Sequence, residues 1–198
     1  LGYVLLAIFA EKIIKNQPGA KIIFEVKCSK GLIERIEDLG GTPLMYRTGH
    51  SLIKAKMKQE NALLAGEMSG HIFFADCYFG YDDAIYASLR LLETLSEGKK
   101  LSELAQKIPK YFSTPEIRVD TSDNKKFLVV EKLKNELKNK YKVIDIDGVR
   151  VDFGDGWGLV RASNTQPVLV LRFEARSESR LNEIKDFFLN NLEKIGLK

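Results

Sequence analysis

The chain has 198 residues, 44% hydrophobic and 29% charged, with a formal net charge of +4, which is enough for one large domain or two small ones with sizeable cores. No run approaches the roughly 18 apolar residues of a membrane span, and the apolar start from Tyr3 to Ile14 is broken by Glu11 and Lys12 and lacks both a basic lead and a cleavage site, so no signal peptide is read either. Cys28 and Cys77 have neither metal-ligand spacing nor a disulfide framework, which favours a reducing cytosol, and evenly spread Lys and Arg without interleaved aromatics draw no nucleic-acid footprint.

In chain order, Tyr3 to Asn16 has helical spacing and ends at the turn Asn16-Gln17-Pro18-Gly19. Lys21 to Val26 reads as a largely buried strand. Leu32, Ile33, Ile36 and Leu39 mark a helix closed by Gly40-Gly41, and Pro43 to Tyr46 a second strand. Ser51 to Glu60 is a helix opened by Thr48-Gly49-His50-Ser51 and carrying Lys54, Lys56 and Lys58. Ala62 to Ala65 and Ile72 to Phe74 are two further strands. Asp82 to Leu95 is a helix expected to turn Ile85, Leu89 and Leu92 inward, with Asp82-Asp83 near its N-terminus. Alternating strands and helices predict a layered α/β domain with a mainly mixed sheet over residues 1 to 110.

The second half has hairpin texture. Lys107 to Ser122, with Pro109 and Pro115, reads as a linker ending in a strand from Glu116 to Val119, and Phe127 to Leu137 is amphipathic. Val143 to Ile146, Val149 to Phe153 and Trp157 to Arg161 are strands joined by turns at Asp147-Gly148 and Gly154-Asp155-Gly156. Val168 to Ala175 is a strand and Arg180 to Ile195 a closing helix with Leu181, Ile184, Phe188, Leu192 and Ile195 inward. This predicts a smaller α+β domain over residues 111 to 198, with a mainly antiparallel sheet and helices on one face.

Three polar segments carry the chemistry. In Gly66-Glu67-Met68-Ser69-Gly70-His71, an extended chain would turn Glu67, Ser69 and His71 to one side. Glu67 and Ser69 suit sugar hydroxyls and His71 suits proton transfer, although a histidine beside a buried strand is as readily a satisfied structural residue. Side-by-side neighbours on one strand do not make a hydrolytic triad or a zinc site. In Arg161-Ala162-Ser163-Asn164-Thr165-Gln166-Pro167, an arginine fork and a polar turn with converging N–H groups suit a phosphate; an ordinary hairpin loop with a solvated arginine fits too. Thr48-Gly49-His50-Ser51 offers helix-terminal N–H donors for an anion, while a plain N-cap explains Ser51 equally well. Lys27 at a strand end reads by type as a surface lysine.

Taken together and in order, Glu25-Val26-Lys27-Cys28-Ser29, Arg47-Thr48-Gly49-His50-Ser51-Leu52-Ile53-Lys54, Gly66 to Phe74 and Arg161 to Pro167 resemble the third and fourth domains of the α-D-phosphohexomutases, of the bacterial phosphomannomutase/phosphoglucomutase type. Such enzymes interconvert hexose 1-phosphate and 6-phosphate through a bisphosphorylated sugar. The resemblance implies a C-terminal fragment, inactive alone, of a cytoplasmic enzyme whose phosphoserine and Mg²⁺ loops lie in domains absent here. The start at Leu1-Gly2, directly in the first helix, fits truncation.

What the resemblance carries over is substrate recognition. Glu67 and Ser69 match residues that grip sugar hydroxyls, and His71 matches a histidine close to the reacting end. Lys27 and His50 match cleft residues, and Arg161, Ser163, Asn164 and Thr165 match the phosphate-clamping loop, where the family often has Pro and Glu in place of Ala162 and Gln166. The implied partners are phosphorylated hexoses and the N-terminal domains of the same polypeptide, with no nucleic acid and no membrane. Mg²⁺ and glucose 1,6-bisphosphate are implied for the parent, and neither is assigned to residues of this chain. Met68 resembles the mannose/glucose subclass rather than the phosphoglucosamine mutases. A non-catalytic sugar-phosphate-binding module, or a parent acting as a phosphoglucosamine mutase, remains the alternative.

Overall fold

The computed structural model of the chain describes residues 2–197. They divide into two compact units, Leu1–Lys110 and Tyr111–Lys198.

The first unit contains α1 (Gly2–Asn16), β1 (Lys21–Glu25), α2 (Lys30–Asp38), β2 (Thr42–Tyr46), α3 (His50–Glu60), β3 (Leu64–Gly66), β4 (Ile72–Phe74), α4 (Ala84–Ser96) and α5 (Leu101–Gln106). Its sheet runs β2-β1-β3-β4, with β1 parallel to β2 and β3 and β4 antiparallel to β3. The two-residue period divides the strands between two cores. Ile22, Phe24, Leu64, Ile72 and Phe74 join α1 and α2 on one side, while Ile23, Ala65 and Phe73 meet Ile53 and Met57 of α3 on the other. The unit is therefore a three-layer α/β/α sandwich, as the alternating pattern predicts.

Local signals set the helix ends. Ser29 caps α2 by accepting from the Gly31 N–H at 3.1 Å, and Asp83 caps α4 by accepting from the Tyr86 N–H at 2.9 Å. Asn61, at φ 52°, closes α3 in the left-handed conformation. Ser51 does not cap α3: the N-cap is Gly49, and no side chain serves it.

Helix α4 corrects one expectation. Ile85, Leu89 and Leu92 are 77%, 58% and 62% exposed, and the face turned to the core carries Tyr86, Ala87, Leu91 and Leu95. Both faces have apolar residues at helical spacing. The interior takes the one whose Tyr86 ring stacks on Tyr78 at 4.0 Å and meets Phe74 edge-on at 5.4 Å. The hydrogen bonds with Tyr81 and Asp83 also hold the Tyr78 phenol above its ordinary pKa, so it remains a donor.

The second unit comprises β5 (Phe112–Ser113), β6 (Ile117–Asp120), α6 (Asp123–Leu137), β7 (Lys142–Ile144), β8 (Val149–Asp152), β9 (Gly156–Ala162), β10 (Val168–Ala175) and α7 (Glu178–Lys194). The sheet is antiparallel throughout, in the order β5-β10-β9-β8-β7, with β6 also pairing β10. Val149, Val151, Val160, Leu169, Leu171 and Phe173 share one core with Leu133 of α6 and Ile184 and Phe188 of α7, so both helices cover one face. The other face carries charge: the Trp157 indole donates to Glu174 at 2.9 Å, and Arg150 lies 3.7 Å over the same ring.

Candidate functional site

Three parallel strands end together in the first unit, and the segments that leave them hold Lys27, Thr48 to His50, and Glu67 to His71. The edge beyond the carboxyl ends of parallel strands is where open α/β sheets place ligands. Two buried carboxylates tie these segments together.

Glu25, the last residue of β1, is wholly inaccessible. Its Oε2 accepts from the Lys27 N–H at 3.1 Å and the Thr48 hydroxyl at 2.8 Å, and its Oε1 accepts from the Met68 N–H at 3.2 Å. The Lys27 ammonium lies 3.9 Å from Oε1. One carboxylate thus fixes all three segments, which explains why a charge is tolerated between Phe24 and Val26.

Glu67 makes the second tie. Its Oε1 accepts from the Gly49 N–H at 2.7 Å and its Oε2 from the Ser69 hydroxyl at 3.3 Å. Gly49 presents that N–H from φ 137°, a conformation side-chain-bearing residues rarely adopt. A carboxylate of this chain therefore already occupies one donor at the N-terminus of α3. Its two oxygens have roughly four lone-pair directions, so about two remain beyond these two bonds.

The extended triad is corrected. Glu67 to His71 form a tight connection between β3 and β4, closed by Gly70 N–H to Glu67 O at 3.1 Å and Glu67 N–H to His71 O at 2.9 Å. The turn, not strand alternation, brings Glu67, Ser69 and His71 together, with Glu67 buried and the other two exposed. Gly2 at the start of α1 packs against this turn so closely that a Cβ there would lie 2.5 Å from Met68 O and 2.6 Å from Glu67 O. Met68 packs its side chain on the core around α1, as a packing residue would.

His71 has a partner the sequence reading did not assign. Its Nδ1 lies 2.6 Å from Asp82 Oδ2, and Asp82 Oδ1 accepts from the Ile72 N–H at 3.3 Å. A carboxylate only accepts, so Nδ1 carries the proton and Nε2 is the nitrogen left to work. Asp82 precedes α4 rather than opening it. The His50 and His71 rings are 6.2 Å apart, and a cleft of about 1000 Å³ runs from His50 along Lys54 and Lys58 to Phe79.

The second unit holds the other polar loop, between β9 and β10. Arg161 is buried, and its Nε and Nη2 bond Asp147 at 3.0 and 3.3 Å, so one edge of the fork is engaged. The backbone N–H groups of Thr165 and Gln166 converge on the Ser163 hydroxyl at 3.4 and 3.2 Å, rather than outward on a ligand. Gln166 is held by Arg118 at 2.8 Å through its side chain and by Lys126 at 3.1 Å through its carbonyl. Asn164 and Thr165 are exposed at the tip. Among the described residues no group of three or more His, Cys, Asp or Glu side chains could hold a metal, and no helix is long and apolar enough to cross a membrane.

Comparison with known proteins decides the family. The profile described as "Phosphoglucomutase/phosphomannomutase, alpha/beta/alpha domain III" matches residues 1–112, and "Phosphoglucomutase/phosphomannomutase, C-terminal domain" matches residues 116–191. The chain belongs to the phosphoglucomutase/phosphomannomutase family. It is 51% identical over 193 residues to the phosphomannomutase/phosphoglucomutase of Pseudomonas aeruginosa, covering 96% of this chain and 42% of that protein. A crystal structure of a phosphoglucomutase/phosphomannomutase family protein from Burkholderia thailandensis matches with a TM-score of 0.90 and 44% identity, covering 99% of this chain and 42% of that one. The Aspergillus fumigatus N-acetylphosphoglucosamine mutase, solved with GlcNAc-6P and magnesium, shares the fold at 16% identity and a TM-score of 0.59, over 96% of this chain and 46% of its own. The chain spans about two fifths of the length of the curated relatives it matches.

Within this phosphoglucomutase/phosphomannomutase unit, Lys27, His50, Glu67, Ser69 and His71 belong to one connected edge, and Arg161, Ser163, Asn164 and Thr165 to one loop of the other unit. Glu25, Asp82 and Asp147 are the residues that sequence reasoning missed. Glu25 had a signal, a charge inside an apolar strand, which is almost never buried without partners. Asp82 and Asp147 act through contacts 11 and 14 residues away that no local pattern announces.

Proposed function

We propose that this chain is the C-terminal, substrate-recognising part of a longer, cytoplasmic phosphohexomutase that interconverts the 1- and 6-phosphates of mannose and glucose through a bisphosphorylated sugar. The observation that carries the reading is the Glu25 and Glu67 ties, which hold Lys27, His50, Ser69 and His71 at one sheet edge. Similarity to enzymes named phosphomannomutase/phosphoglucomutase gives that edge its chemistry.

Glu67 and Ser69 bind sugar hydroxyls, accepting and donating respectively. Lys27 supplies positive charge and His50 a ring nitrogen toward the phosphorylated sugar. His71, with Nδ1 held by Asp82, exchanges a proton at Nε2 with the hydroxyl that gains or loses the phosphoryl group. Ser163 shapes its loop so that Asn164 and Thr165, with Arg161 behind them, hold the phosphate that is not being transferred. Positioning and electrostatics of this kind dominate phosphoryl transfer. Mg²⁺ and glucose 1,6-bisphosphate serve the parent enzyme. The described residues offer no ligand set for the metal, so no step here is assigned to it.

The test is turnover. The full-length polypeptide is assayed with mannose 1-phosphate, glucose 1-phosphate and glucosamine 1-phosphate, and the 198-residue chain alone with the same three. The full-length protein turns over the first two and the short chain none. Activity on glucosamine 1-phosphate only, or mutase activity of the short chain, overturns the reading.

A further inference from the structure

Helix α4 turns an apolar stripe to solvent. Ile85, Leu89 and Leu92 stand at i, i+4 and i+7, and Phe79, just ahead of the helix, is 78% exposed and stacks on Tyr81 with ring centroids 5.8 Å apart. Single exposed apolar residues are ordinary, but a helical stripe of three with a phenylalanine beside it marks a contact surface.

Of the charges of α4, Arg90 is drawn toward the core and Glu93 flanks the stripe, exposed but paired. Arg90 bonds Asp76 at 2.9 and 2.7 Å and Glu93 at 3.3 Å, and lies over Phe74 at 4.6 Å, while Glu93 also meets Lys12 of α1 at 3.1 Å. The stripe itself is Ile85, Ser88, Leu89 and Leu92, with exposed Ala84, Glu93 and Ser96 beside it. Depletion of charge at the centre of a surface is the composition of an interface core.

We propose that this stripe, with Phe79, seats the earlier domains of the same polypeptide. The inference rests on the reading of this chain as part of a longer phosphohexomutase and adds where that longer chain docks. More than half of each matched relative lies outside the match, and residues 1–112 fit a profile named domain III, so a covalently joined partner precedes them. Four side chains fall well short of the ~800 Å² that each partner of a stable bimolecular interface buries. A tethered domain needs less, because the tether holds it at roughly millimolar effective concentration. The seat also has a functional position. Helix α4 starts directly after Asp82, which holds His71, so a domain resting on α4 is registered against the nitrogen that moves the proton.

Cysteine protection tests this. Leu89→Cys and, separately, Ile85→Cys are made in a Cys77→Ser background, in both the 198-residue chain and the full-length polypeptide. Maleimide labelling rates are normalised to each protein in denaturant. Both sites label at least about tenfold more slowly in the full-length polypeptide than in the short chain. Equal normalised rates in a full-length protein with mutase activity overturn the docking site while leaving the functional reading intact. A full-length protein without mutase activity overturns the functional reading instead. Protection in the short chain that rises with its concentration assigns the stripe to a second copy and overturns the proposal.

Discussion

Replacing Glu25 strikes the tie that holds the three site segments together. Glu25→Gln preserves volume but exchanges one oxygen for an NH₂ group. Oε1 faces the Met68 N–H and Oε2 faces the Lys27 N–H, so either orientation of the amide sets a donor against a donor. One hydrogen bond is lost outright, and the survivors fall from the charge-assisted range of ~1.5–3 kcal/mol to the neutral range of ~0.5–1.5 kcal/mol. The expected cost to the first unit is about 2–3 kcal/mol. Glu25→Ala also leaves a void and strands two backbone N–H groups, for about 4 kcal/mol. Urea unfolding followed by circular dichroism reads the energies, and amide exchange locates them. The Lys27 and Met68 amides lose protection in Glu25→Gln, while the Ile23 amide in the middle of β1 keeps it. A Glu25→Gln chain within about 0.5 kcal/mol of the parent, with both amides still protected, refutes the reasoning.

Other perturbations have equally definite outcomes. Asp82→Asn removes the carboxylate from His71 Nδ1, and in the full-length enzyme kcat falls by roughly 10–100-fold with KM nearly unchanged; a rise in KM alone in steady-state kinetics contradicts the assigned role. Gly2→Ala forces a Cβ against the Met68 and Glu67 carbonyls and costs about 1–3 kcal/mol by thermal unfolding; an unchanged melting temperature shows that α1 is not seated on the turn. Glu60 is lowered to about 2 by its hydrogen bonds to Lys21 and Lys56, so its contribution is complete above the ordinary value of 4.5 and is lost as pH falls toward 2. Acid titration of stability is therefore shallower between those limits in Glu60→Gln than in the parent, and parallel curves refute that assignment.

Much of the architecture is legible because hydrophobic period and end signals agree. The α2 and α7 patterns each have one apolar face, α1 and β1 are near-continuous apolar runs with a clear stop, and the hairpin turns at Gly148 and Gly154 divide the second sheet into its strands. The failures have particular causes. Helix α4 is apolar on two faces, so period alone cannot say which is buried, and the aromatic cluster of Tyr78, Tyr86 and Phe74 decides it through contacts across the unit. Alternating polar residues from Glu67 to His71 fit a strand or a short turn, and flanking Gly66 and Gly70 were the sign of the turn. The candidate site was legible as residue types in order, while its supports were not. Glu25 reaches Met68 across 43 residues, and only the parallel sheet brings them together.

The most direct measurement of the central claim is a single turnover of the full-length polypeptide carrying labelled phosphate on the donor serine that the proposed function requires in its earlier domains. With Glu67→Gln, the account predicts that transfer of label from the loaded enzyme to glucose 1-phosphate slows by at least about 100-fold, because the sugar is no longer held. Transfer at the unaltered rate would contradict the assignment of sugar recognition to this chain.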